Sequence, residues 1–64
     1  AAGAPLRGRV GVGYELLATI AQREGHLPDA AHAYRQGIAI FDSLGNRPYA
    51  EKLRARLETL LIAG

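Results

Sequence analysis

The chain has 64 residues, enough for one small domain that buries only about 60% of the surface its unfolded form exposes. Cysteine is absent, which excludes disulfides and thiolate metal sites as supports, so helix packing or association must supply the stability. With 48% apolar and 22% charged residues the composition is that of a folding chain, and eight basic against six acidic residues leave a net charge of +2, too small to imply nucleic acid by itself.

No apolar run approaches the roughly 20 residues that span a bilayer, and no signal-peptide core is evident, so a cytoplasmic location with no membrane partner is expected. Methionine is absent even at position 1, which reads as processing or as a piece of a longer chain.

Residues 1–11 begin the glycine-rich stretch AAGAPLRGRVGVG, whose four glycines and proline disfavour helix and strand alike; it reads as a flexible arm. Its glycines resemble a phosphate loop only superficially, because no Lys-Ser/Thr follows and no strand precedes. Residues 12–64 then form the folded part. Val10, Tyr14, Leu17, Ala18 and Ala21 recur at helical spacing, which predicts a first helix over 12–24, closed by Gly25.

Pro28 and Asp29 suit the first turn of a second helix, predicted over 28–43. Its buried side is Ala30, Tyr34, Ile38 and Phe41, flanked by Ala31, Gly37 and Ile40, and Gly45 ends it. Pro48 repeats the start signal for a third helix over 48–62, with Tyr49, Leu53, Leu57, Leu60 and Leu61 as its apolar stripe. The opposite side carries Lys52, Arg56 and Thr59 with Glu51, Arg54 and Glu58. Both glutamates lie within helical reach of Arg54, so this side reads as solvated and self-compensating. No strand pattern competes, and the fold class is all-α: an antiparallel helix-turn-helix hairpin plus a third helix.

The run YELLATIAQREGHLPDAAHAYRQGIAIFD, from Tyr14 to Asp42, resembles a tetratricopeptide repeat, a 34-residue helical hairpin whose large and small positions let neighbouring units stack. Tyr14, Leu17, Ala18, Gly25, Leu27, Ala30 and Tyr34 fit the family's pattern, and Gly37 replaces its usual alanine. Ala21 stands where an aromatic is expected, and Asp42 where a proline closes the unit. The continuation IAIFDSLGNRPYAEK is similar to the longer repeats of bacterial regulators and scaffolds. Helix three either opens a second repeat or caps the first. Shifted onto helix one, Arg54 falls on the close-packing position of Ala18, which favours a cap.

The resemblance implies a protein–protein interaction module. Its concave face would carry Val12, Glu15, Leu16, Thr19, Gln22 and Arg23, with Leu16 either an exposed anchor or packed beneath helix three or a second copy. Glu15 would repel the C-terminal carboxylate that some members of the family bind. A single unit leaves its stacking faces open, which implies a homo-oligomer or a fragment of a longer array, burying the Tyr34, Ile38, Ile40 and Phe41 side or the Leu57, Leu60, Leu61 and Ile62 end.

Other chemistry is thinly supported. His26 and His32 lack ligand spacing, so neither metal nor cofactor is implied. Ser43 is a turn residue, and Glu15, Glu24, Asp29, Asp42, Glu51 and Glu58 are scattered over polar faces, which gives no catalytic constellation. Arg7, Arg9, Arg47, Lys52, Arg54 and Arg56 offer the alternative of a small basic nucleic-acid-binding domain, although no aromatic residues interleave with them.

Overall fold

A computed structural model describes residues 3–63, with side chains from residue 8 to residue 62. Three helices follow one another: α1 (Gly3–Arg23), α2 (Leu27–Ser43) and α3 (Arg47–Ala63). Both α1 and α3 pack on α2, and the described residues contain no strand. The molecule is elongated, 39 × 18 × 12 Å.

The two connections are built alike. Gly25 and Gly45 have φ of +80° and +74°, the left-handed region where a side chain would be strained. The following N–H groups, of His26 and Asn46, donate to the carbonyls of Ala21 and Phe41 at 2.8 and 2.9 Å and so satisfy helix-end acceptors. Asn46 also accepts from the Tyr49 N–H through its Oδ1 at 3.3 Å, which starts α3. Pro28 and Pro48 lie just inside the next helices, where no N–H is missed.

The arm expected over 1–11 is corrected: α1 already runs from Gly3, and only Ala1 and Ala2 of that stretch lie outside the described residues. Pro5 is in the first turn, where it costs no hydrogen bond. Gly11, counted as a helix breaker, is instead buried where α1 crosses α2. A Cβ built on it would fall 2.8 Å from two ring carbons of Phe41 and 3.2 Å from Ile40. Gly37 faces it across the crossing, and a Cβ built there would fall 3.1 Å from Leu53 and 3.5 Å from the Gly11 carbonyl oxygen. Packing at this contact outweighs the low helix propensity of glycine, a term of about 1 kcal/mol.

The core comprises Ala18, Ala30, Ala31, Ala33, Tyr34, Ile38, Phe41, Ala50, Leu53 and Leu60, with Tyr14, Ala21, Leu27, Leu44, Tyr49 and Leu57 at its edge. Phe41 stacks on Tyr49 with ring centres 4.1 Å apart, tying α2 to α3. The expected inner side of α2 is correct. The stripe drawn on α1 is correct at Tyr14, Ala18 and Ala21 but not at Val10 and Leu17, which are more than half exposed, while Gly11 and Glu15 face inward in their place. On α3, Leu61 is likewise exposed, and Ala50 takes a core position in its first turns.

Candidate functional site: a bridged groove and an open apolar ridge

Two surfaces stand out, one on each side of α1. Along the first, α1 and α3 border a shallow groove of about 360 Å³ lined by Thr19, Gln22, Tyr34, Ala55, Arg56 and Thr59. Helical spacing aligns Glu15, Thr19 and Gln22 on one strip of α1, and Lys52, Arg56 and Thr59 on one strip of α3. Buried Tyr34 reaches up from α2 and donates its O–H to Gln22 Oε1 at 3.2 Å.

Beside this groove Glu15 is almost enclosed. Its carboxylate accepts from the Tyr49 O–H and from Arg56 Nη1 at 3.1 Å, and Lys52 Nζ lies 3.6 Å away. Lys52 also sits over the Tyr49 ring, 4.8 Å from its centre, so phenol and ammonium flank the anion together. The hydrogen bond to Glu15, then burial, then the glutamate's charge hold the Tyr49 phenol above its usual ionisation range, while Arg56 opposes the shift. Glu15 therefore braces α1 against α3 rather than standing as a bare anion on a concave face. Lys52 and Arg56, each about half exposed, present the polar rim.

Away from α2, the second surface is a ridge of Val10, Leu16, Leu17 and Ile20, each more than half exposed, with Val12 beside it. Leu16 belongs here and is not packed under α3. A smaller apolar notch of about 370 Å³ lies at the far end of the molecule, lined by Leu27, Pro28, Ala31, Leu60 and Leu61, next to exposed Ile62.

The expected partner residues are thus divided. Thr19 and Gln22 line the groove, whereas Leu16 and Arg23 lie on the exposed surface of α1. Tyr34, Ile38 and Phe41 are corrected from a stacking surface to core, since α1 and α3 already cover them; only the Tyr34 hydroxyl reaches the groove lining. Leu57 is half-buried at the core edge, and Leu61 is open beside the notch. Val10, Leu17 and Ile20 join the surface, and Arg56 and Thr59 the groove lining, with no local pattern in the sequence to mark which way they face.

The self-compensating set on α3 is also corrected. Arg54 Nη2 donates to Asp42 Oδ2 at 2.6 Å, while Lys52 and Arg56 turn to Glu15. These three cations face carboxylates rather than forming one basic surface, and Arg7 lies outside the described side chains. Among the described residues no three His, Asp or Glu converge on a common point, and no helix is long and apolar enough to cross a membrane. No protein-family model, curated protein or solved structure matches the chain.

Proposed function

We propose that the chain is a non-catalytic, cytoplasmic protein–protein interaction module of tetratricopeptide type that works through faces its three helices leave open. The observation that carries this reading is the α1 ridge. Val10, Leu16, Leu17 and Ile20 put several large apolar side chains together in solvent, where monomeric proteins rarely keep a broad apolar patch. The order of large and small residues from Tyr14 to Asp42 supports the family assignment. The nucleic-acid alternative loses support from the pairing of Lys52, Arg54 and Arg56 with Glu15 and Asp42.

A photo-crosslinking amino acid at position 16, in the chain expressed in its native cell, tests the reading. Covalent adducts to polypeptide, whether another protein or this chain itself, are expected. Absence of any protein adduct, or adducts to nucleic acid alone, would overturn it.

A further inference from the structure

We infer that the partner of the α1 ridge is a second copy of this chain, packed antiparallel so that Leu17 of each copy sits over Gly13 of the other. This rests on the interaction-module reading above and names its partner and geometry.

The spacing of the ridge is specific. Val10, Gly13, Leu17 and Ile20 follow one another at alternating steps of three and four, the seam spacing by which two helices interlock side chains into holes. Gly11, Glu15 and Ala18, which alternate with them, face inward, so the seam points away from the molecule. At Gly13 the seam carries no side chain, and the space where a Cβ would stand is open, with nothing within 4 Å.

The ridge therefore holds both a projection, Leu17, and a depression, Gly13, on either side of its own midpoint. A parallel pair would set Gly13 against Gly13 and leave a gap, with Leu17 crowding Leu17. An antiparallel pair sets each Leu17 into the opposite Gly13 hole and Val10 against Ile20. The two-fold axis then passes close to Leu16, which meets its own counterpart. A surface that is complementary to itself under one rotation closes as a dimer, which favours a copy of the chain over an unrelated partner. The exposed parts of Val10, Leu16, Leu17 and Ile20 from two copies offer at most on the order of 800 Å² of apolar surface to this pairing. Flanking polar residues complete the contact, which places the pairing among small, concentration-dependent interfaces.

Sedimentation velocity of the full chain from about 1 to about 500 μM tests the pairing. The wild type should shift from monomer to dimer across this range. Leu17→Asp and Gly13→Leu should each weaken the dimer by more than about tenfold, the first by placing charge in the seam and the second by filling the hole. Circular dichroism should show both variants still helical, because neither site is in the core. Leu61→Asp, at the other apolar surface, should leave the dimer unchanged. The chain has no cysteine, so single cysteines report orientation cleanly. A mixture of Val10→Cys and Ile20→Cys chains should form a mixed disulfide faster than either variant links to itself.

A wild type that stays monomeric throughout, a dimer indifferent to Leu17→Asp and Gly13→Leu, or one abolished by Leu61→Asp would overturn the proposal. So would faster linking of Val10→Cys to itself. Protein adducts at position 16 together with a monomeric wild type would sink the dimer and leave the interaction reading standing.

Discussion

The phenol of Tyr49 on α3 donates its hydrogen bond to the carboxylate of Glu15 on α1, joining two helices whose main packing is with α2. The acceptor is charged and nearly enclosed, so the bond belongs to the stronger class. Tyr49→Phe keeps the ring stacked on Phe41 and removes only the O–H. It should lower stability by about 1–2 kcal/mol in thermal or urea unfolding. A double-mutant cycle with Glu15→Gln should show coupling between the two sites, and strict additivity would count against the bond.

The same contact sets an alkaline limit. The folded state holds the Tyr49 proton more tightly than the unfolded state does, so this contribution is fully present below the usual tyrosine range near pH 10. It is lost as pH rises through the higher folded value. Ultraviolet titration of the three tyrosines should show Tyr49 ionising after its free range, and Glu15→Gln should bring that ionisation down. An unchanged titration curve in the variant would refute the assignment.

The crossing of α1 and α2 makes glycine substitutions opposite in sign. Gly11→Ala places a methyl 2.8 Å from the Phe41 ring, which is pinned against Tyr49, and should destabilise by about 1–3 kcal/mol despite the better propensity of alanine. Gly8→Ala meets nothing within 4 Å and should stabilise by up to about 1 kcal/mol. Melting temperatures of the two variants decide this, since both falling or both rising would contradict the contact.

Gly45→Ala forces an L side chain into a left-handed turn and should cost about 1–2 kcal/mol in chemical unfolding. The exposed pair of Arg54 and Asp42 is short but open to water, so Arg54→Ala should cost under about 1 kcal/mol, less still at high salt.

The turns and α2 were readable because their signals are local: glycine before each turn's end, proline just after it, and apolar residues on both sides of a helix enclosed by two neighbours. The face of α1 was readable only in part. The stripe marks Tyr14, Ala18 and Ala21 correctly but includes the large Val10 and Leu17, whereas the close helix crossing selects Gly11, which has no side chain to mark it. Glu15 looked solvent-facing because its partners Tyr49 and Arg56 lie 34 and 41 residues away, and no local pattern marks them. The ridge spacing of Val10, Gly13, Leu17 and Ile20 was present in the sequence. Only the direction of α1 showed that it faces outward.

With α1 and α3 leaning on α2 rather than chiefly on each other, the order of opening is set by the fold's connectivity. Either outer helix can detach while the remaining pair persists, but release of α2 removes the main support of both at once. Amide hydrogens in the middle of α2 should therefore exchange with solvent last, and only through global unfolding. A peptide cleaved within 27–43 should leave two flanking helices with little cause to stay together.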